Sequence, residues 1–492
     1  MQTKPPATPP AAPFPEPPFV AVADDSGSAA GGGGGRRKRA ALHTHGCRLN
    51  QAETLLLRDQ LAAAGYEIVP FGAPADLAVI NTCSVTRLAE AKCRQSIRQV
   101  VAASPAAFVA VVGCYSQTGA EALARIAGVD LILGNDAKQD LLAHIGTGAK
   151  SAVPRIVIGQ TGKRAGTGAA AAGTASSNFK IPFAGGGAFE KRASLKVQDG
   201  CAFGCSFCLI PKARGPARSR DFDDLLAEAR SLVSRGVREL VLTGVNIGTY
   251  NSGGRRLAEV VDALADTAGV ERLRIGSIEP TTVDDALLER MASPAHPLLP
   301  HLHLPLQSGC ERILRDMRRP CTAAQYAEFA RRATGAVPEL CLGTDVMVAF
   351  PGETAEEFEE TRAFLETLPL AYVHVFTYSE REGTPAARRG DAVPVPVRQQ
   401  RSALLRRFSK RRWHEWRAGY LGREMRVLFE DPEAEFWPGL TDNYIRVVVP
   451  RGPAAGGVAG GAASAWLANK TGRVRLERIA GENVVGTLLA LE

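Results

Sequence analysis

The chain has 492 residues, a formal net charge of +8 and a pI near 9.0, with 45% apolar and 22% charged residues. These values exclude a mostly disordered chain and a miniprotein held by staples, and they leave room for several domains with sizeable cores. The ten cysteines are too few and too unevenly spaced for a disulfide framework, so they read as residues with particular uses in a reducing cytoplasm. The N-terminus lacks the basic-then-apolar pattern of a secretory signal, and no run of about 20 apolar residues marks a membrane span. The basic balance suits a polyanionic partner or an ordinary solvated surface.

Residues 1–40 are rich in Pro, Ala and Gly and end in Arg36, Arg37, Lys38 and Arg39, so they read as a flexible tail whose basic end meets either nucleic acid or solvent. From about Ala41 to residue 150 an α/β domain is expected. It has a helix over 51–64, a strand-like run in GYEIV, and further strands at Leu77 to Cys83, Phe108 to Cys114 and Val129 to Asn135. Residues 151–190 read as a glycine-rich linker. Repeated strand–helix alternation over 191–417 predicts a full or partial parallel α/β barrel with ligands at the C-terminal strand ends. A basic helix in RRFSKRRWHEWRAGYLGR then leads into short strand candidates, which predict a small β-barrel over 418–492. That class serves oligonucleotides or acts as a structural cap.

The sharpest local signal is CAFGCSFC, with Cys201, Cys205 and Cys208. Three thiolates can hold three irons of a cubane cluster and leave the fourth open to a ligand such as S-adenosylmethionine. The other readings are a structural zinc site, for which no fourth Cys or His lies nearby, and incidental buried thiols.

The segment VQDGCAFGCSFCLIPKARG resembles the radical S-adenosylmethionine motif of the methylthiotransferase family, and the resemblance extends over about residues 41–490. It implies an N-terminal α/β methylthiotransferase domain, a radical SAM barrel and a C-terminal TRAM β-barrel. It further implies two 4Fe-4S clusters and S-adenosylmethionine as cofactors. The second cluster would be held by Cys47 in THGCRLNQAE, Cys83 in INTCSVT and Cys114 in VVGCYSQ. One S-adenosylmethionine would then methylate sulfur at the second cluster. Another would yield a 5′-deoxyadenosyl radical at the first, so that an unactivated aromatic C–H becomes C–SCH3. Thr243 and Gly244 in LTGVN, Ser277 and Glu279 in GSIEP, Gln307 (with Ser308) in PLQSG, and Asp345 in GTDVMVAFPGET are the candidate cofactor residues. Satisfied barrel-end polar groups are the alternative reading for them. No catalytic side chain is singled out beyond the cluster ligands. Cys93, Cys310, Cys321 and Cys341 read as buried or semi-buried small hydrophobes rather than further catalytic groups, and His301 and His303 either meet a cofactor from a strand end or are satisfied together on one strand face.

The basic helix offers Arg406, Arg407, Lys410, Arg411 and Arg412 to RNA phosphates, or simply to solvent. The expected partners are a tRNA anticodon stem-loop and a low-potential electron donor, with no membrane and a monomeric, cytoplasmic protein. GCRLNQAE, GTDVMVAFPGET and TDNYIRV resemble the branch that acts on N6-threonylcarbamoyladenosine immediately 3′ of the anticodon, giving its 2-methylthio derivative. The branches acting on isopentenyladenosine and on an aspartate of a small-subunit ribosomal protein are the alternatives, and an iron–sulfur RNA-binding or redox-sensing protein is the non-enzymatic one. His45 and Lys212 depart from the branch's usual residues.

Overall fold

Runs of Val, Ile, Ala and Leu, one ending in Asn-Thr and one in Gly, form the two central strands of the first sheet. Its strands are β1 (Arg39–Thr44), β2 (Glu67–Val69), β3 (Leu77–Thr82), β4 (Phe108–Gly113), β5 (Leu131–Leu133) and β6 (Arg155–Val157). All pair in parallel, in the order β2-β1-β3-β4-β5-β6. β3 and β4 are buried at every position, as strands covered on both faces must be. Alternate residues pack to opposite sides. Leu77, Val79, Ala110 and Val112 meet Leu57 and Leu61 of the helix Arg48–Ala63, while Ala78, Ile80, Val109 and Val111 meet Ile97 and Val100 of the helix Arg87–Ala103. The order reverses between β1 and β3, and doubly wound sheets bind ligands outside the carboxyl ends of their strands at that point. The computed structural model describes residues 36–159, 178–181, 191–451 and 466–492. Most of the expected tail and linker lie outside the described residues. β1 starts slightly ahead of Ala41, and β6 falls within the stretch read as a linker.

The second domain begins with β7 (Arg192–Lys196), then the short antiparallel pair β8 (Gln198–Asp199) and β9 (Arg218–Ser219). β10 (Glu239–Thr243), β11 (Arg272–Ile275), β12 (His301–His303), β13 (Cys341–Val348) and β14 (Tyr372–Thr377) follow, separated by helices. The sheets β11-β10-β7 and β12-β13-β14 are parallel and are bridged at Ser277 and His303. This is a partial barrel rather than a closed one. Strand alternation sends Leu302, Leu342, Val346 and Val373 into the helix-packed core. His303, Asp345 and His374 go to the inner face, where they meet one another.

The third domain is a closed barrel in the order β15-β16-β17-β19-β18. Its strands are β15 (Glu424–Phe429), β16 (Phe436–Thr441), β17 (Arg446–Pro450), β18 (Thr471–Ala480) and β19 (Asn483–Leu491). It docks on the strand starts of the larger barrel through a buried charge cluster. The Glu239 carboxylate accepts from Arg272 Nε and Arg274 Nε, each at 2.8 Å, while Arg272 Nη2 donates to the Leu440 carbonyl at 3.1 Å. The helix Val395–Ala418 connects the two barrels and packs along β14. Among the described residues, no helix is long and apolar enough to cross a membrane.

Candidate functional site

The β8/β9 pair closes the base of the cysteine loop, and Gly200 makes the closure possible. Its φ is +71°, and a Cβ there would stand 2.0 Å from the Pro216 carbonyl oxygen. Each of the three sulfurs accepts one N–H. Cys201 takes that of Phe203 at 3.4 Å, Cys208 that of Ile210 at 3.4 Å, and Cys205 the guanidinium of Arg319 at 3.5 Å. Ser206 fastens the loop to the barrel through its N–H on the Met317 carbonyl and its hydroxyl on the Asp316 carbonyl. Burial pushes the Cys208 thiol up to about 12 and raises that of Cys201, so holding iron here means displacing protons.

The other three cysteines arrive from distant positions. Cys47 caps the helix after β1, Cys83 follows β3, and Cys114 opens the helix after β4, so all three stand at the carboxyl edge of neighbouring strands. Gly46, at φ +99°, permits the approach: a Cβ would lie 2.8 Å from the Cys83 sulfur. Burial first, and then the nearby Cys47 and Cys114 thiols, act to raise the Cys83 thiol, which is pushed up to about 12. Cys47 is exposed, and Arg214 and the Cys114 thiol both act on its thiol. Asn135 Nδ2 lies 3.6 Å from the Cys114 sulfur, and the Val85 N–H donates to the Cys83 sulfur at 3.5 Å. Cys93 does more than fill space: its sulfur accepts the Cys83 N–H at 3.4 Å and so steadies that ligand's backbone.

Beneath this triad lies a buried charge network that sequence reasoning missed. Glu53 accepts from Lys138 at 2.6 Å, from Lys196 at 2.7 Å and from both terminal nitrogens of Arg214 at 3.0 Å. Arg214 and Lys196 also bind Asp199, at 2.9 and 2.7 Å. Burial alone would raise the Glu53 carboxyl, but Arg214, Lys138 and Lys196 together hold it well below the usual carboxylate range. Three buried cations face two buried carboxylates in this cluster, with the partly exposed Arg218 3.8 Å from Asp199, and the charge of Arg214 reaches the sulfurs of Cys47 and Cys114. Such a surplus of buried positive charge suits a thiolate-ligated, anionic cluster as its neighbour. The available signal was charge embedded beside the cysteines, in NQAE, VQDG and PKARG.

The candidate cofactor residues ring the strand ends beside the loop. Thr243 ends β10, where its carbonyl accepts the Val197 N–H, and Gly244 fits so closely that a Cβ would meet the Gln198 carbonyl oxygen at 2.9 Å. Gln198, also missed, clamps this turn by accepting from the Val245 and Asn246 N–H groups at 2.9 and 3.0 Å. Glu279 is gripped by the Arg319 fork at 2.9 and 2.7 Å. Two buried donors here, Asn246 Nδ2 and Arg319 Nε, have no protein partner among the described residues, a fit for a carboxylate-bearing ligand such as the methionyl part of S-adenosylmethionine. Gln307 holds φ +81°, an unusual conformation for a side chain of its size, while exchanging backbone hydrogen bonds with Asp345 and Met347. Ser308 turns away from the cleft to Thr361. Ser277 bridges to the His303 strand, and Asp345 lies one layer deeper than Gln307, between His303 and His374.

Two family models match the chain, the radical SAM superfamily over residues 195–365 and the uncharacterized protein family UPF0004 over residues 39–134. The chain is 36% identical over 419 residues to the threonylcarbamoyladenosine tRNA methylthiotransferase MtaB of Bacillus subtilis (strain 168), covering 83% of this chain and 89% of that protein. It is 34% identical over 410 residues to MtaB of Aquifex aeolicus (strain VF5), covering 83% and 96%. Identity is 32% over 426 residues to the tRNA-2-methylthio-N(6)-dimethylallyladenosine synthase of Opitutus terrae, covering 80% and 88%. The chain belongs to the radical SAM methylthiotransferase family.

The methylthiotransferase uses S-adenosylmethionine and two 4Fe-4S clusters, and its closed C-terminal barrel is consistent with a TRAM domain. Its basic helix is not uniformly free for RNA. Arg411 pairs with Glu366, Arg412 donates to the Leu368 carbonyl, Arg406 is half-buried, and Arg407 and Lys410 are exposed. His45 and Lys212 are satisfied locally, by Ser96 at 3.0 Å and the Gly383 carbonyl at 2.6 Å. Cys310, Cys321 and Cys341 are buried, and His301 contacts the Tyr372 hydroxyl and the Tyr444 ring.

Proposed function

We propose that the chain is a tRNA methylthiotransferase that converts N6-threonylcarbamoyladenosine, immediately 3′ of the anticodon, to its 2-methylthio derivative. The observation that carries this reading is a second thiol triad, Cys47, Cys83 and Cys114, at the strand-order reversal of the N-terminal sheet, in a chain that already owns Cys201, Cys205 and Cys208. The 32–36% relatives named for the threonylcarbamoyl nucleotide, from Bacillus, Aquifex and Chlamydia, support the choice of substrate.

In this reading each triad holds one 4Fe-4S cluster. When bound, the cluster at 201–208 supplies an electron to S-adenosylmethionine, and the other carries the sulfur to be transferred. The chain's own residues orient and exclude. Asn246 and Arg319 direct N–H groups at the methionyl carboxylate, the Thr243–Gly244 turn presents backbone to its amino group, Ser277, Glu279 and Gln307 line the pocket, and Asp345 lies one layer deeper, in the cofactor or substrate cleft. Arg407, Lys410 and Arg411, with the half-buried Arg406 and Arg412, meet phosphates of the anticodon stem-loop. The reading also takes the enzyme to work as a cytoplasmic monomer served by a low-potential electron donor.

Anaerobic assay of the reconstituted protein with tRNA carrying the threonylcarbamoyl base, followed by nucleoside mass analysis, tests it. The expected product is the 2-methylthio nucleoside with 5′-deoxyadenosine. Product only on isopentenyladenosine tRNA would overturn the substrate, and RNA binding without reductant-dependent consumption of S-adenosylmethionine would overturn the enzyme.

A further inference from the structure

The inner face of the partial barrel is layered. Tyr372 and His301 form a lower layer, joined at 3.2 Å, and Met347 and Phe376 an upper one toward the strand ends. Between them lie His303, Asp345 and His374, one from each of three adjacent parallel strands. The register sets Asp345 directly beside His374. His303 Nε2 is 2.9 Å and His374 Nδ1 3.3 Å from the same Asp345 oxygen, and all three atoms lie within 4.8 Å of one another. Among the described residues this is the one group of three or more His, Cys, Asp or Glu side chains so gathered.

We propose that His303, Asp345 and His374 hold a first-row divalent cation, Mn2+, Fe2+ or Zn2+, whose open positions accept the carboxylate and carbamoyl oxygens of the threonylcarbamoyl group. Bonds of about 2.0–2.2 Å at ordinary coordination angles bring neighbouring ligand atoms to roughly 2.8–3.6 Å, a range that holds both the 2.9 Å and the 3.3 Å spacings Asp345 makes with the two rings. Two imidazoles and a carboxylate on one side of an ion leave its other side free. The Tyr372 hydroxyl sits 3.2 Å from His303 Nδ1 and fixes that ring with Nε2 turned toward Asp345. His374 is 43% exposed, so the open side of the ion faces accessible space rather than packed core. Asp345 is the group's one anion, so the ion keeps a net positive charge that a substrate carboxylate completes. An isopentenyl substituent offers no donor atom, so the same ion discriminates between the two modified bases. This last step rests on the substrate reading above, whereas the cation site does not.

The test uses the holoenzyme with both clusters loaded, so that iron occupies the cysteines. Mn2+, which binds thiolates poorly, is titrated and its free form followed by electron paramagnetic resonance. The expected result is one saturable site per chain, weakened at least tenfold in His374→Ala and in Asp345→Asn, with iron content and thermal unfolding of His374→Ala unchanged because that side chain is half-exposed. No saturable uptake of Mn2+, or of Zn2+ by elemental analysis, overturns the site, as does uptake indifferent to both substitutions. Anticodon stem-loops with threonylcarbamoyladenosine or plain adenosine are then bound with and without the cation. Removal should weaken only the modified loop, about tenfold, and equal weakening of both overturns the role in recognition. If the threonylcarbamoyl tRNA is not a substrate while Mn2+ titrates as expected, the substrate reading has failed and the site has not.

Discussion

The two cysteine triads reach similar chemistry by opposite routes. Cys201, Cys205 and Cys208 share one loop closed by a short strand pair, whereas Cys47, Cys83 and Cys114 are brought together only when three parallel strands align in register. The first is nearly a local motif; the second is a product of topology and must wait for non-local pairing. The difference also shows in their supports. Backbone N–H groups reach sulfurs in both triads, but the local one adds only Arg319, while the distributed one also leans on Asn135, Cys93 and a charge network contributed by both domains.

Removing one thiol from each triad separates the two most forcefully. Cys205→Ala should abolish both 5′-deoxyadenosine formation and methylthio product. Cys83→Ala should lose the methylthio product to background while S-adenosylmethionine cleavage survives. Iron should fall from about eight to about four per chain in either variant, read by elemental analysis. If Cys83→Ala retains full product formation, the distributed triad has no part in sulfur insertion.

Next in size is Glu53→Gln. It removes the carboxylate shared by Lys138, Lys196 and Arg214, all of them buried, and should cost about 3–5 kcal/mol of stability in denaturant unfolding. Because Lys138 comes from the sheet domain and Lys196 and Arg214 from the barrel, the distributed triad should lose iron before the local one. Equal loss from both would mean that the network supports the fold at large and not that triad.

How legible each site was in the sequence follows from the same contrast. CAFGCSFC declares itself through spacing, and the buried runs LAVINT and FVAVVG declare β3 and β4, because continuous apolar segments fit strands covered on both faces. Cys47, Cys83 and Cys114 were reached through family resemblance, since separations of this size carry no geometry until the strand order is known. Glu53, Lys138 and Gln198 were not reached at all: a charged or amide residue near a helix or a short strand looks like surface until tertiary packing encloses it. β6 was lost in a glycine-rich stretch because three residues at a sheet edge carry too little pattern. His303, Asp345 and His374 lie far apart in sequence, and only the register of β12, β13 and β14 assembles them.

A control for the comparison lies at the opposite end of the barrel. Glu239 is fully buried against Arg272 and Arg274, far from either triad's strand ends. Burial would raise its carboxyl, but Arg274, Arg272 and Arg192 hold it well below the usual range. A depressed carboxylate contributes stability that is complete above its unfolded value, about 4.3, and is lost only as pH falls toward the lower folded value. Glu239→Gln should therefore cost about 3 kcal/mol at any pH from 5 to 8, with the gap from the parent chain narrowing only in stronger acid. Iron content should stay constant, and a gap that already narrows near neutrality would contradict the sign.

The smallest expected effect qualifies the contrast itself. Arg319 lies over a hundred residues from Cys205, yet it donates to that sulfur, grips Glu279 with both terminal nitrogens and reaches the Pro305 carbonyl at 2.8 Å. Lysine at this position keeps the charge but loses the planar fork that lets one side chain serve three partners. Arg319→Lys should hold its iron and fold normally, yet bind S-adenosylmethionine about tenfold more weakly, equivalent to about 1.4 kcal/mol. A direct binding titration checks this, and unchanged affinity would confine Arg319 to packing. A tenfold loss would mean that even the triad most legible in the sequence depends on a long-range contact: the loop supplies the sulfurs, and the barrel supplies the donor that aligns the cofactor with them.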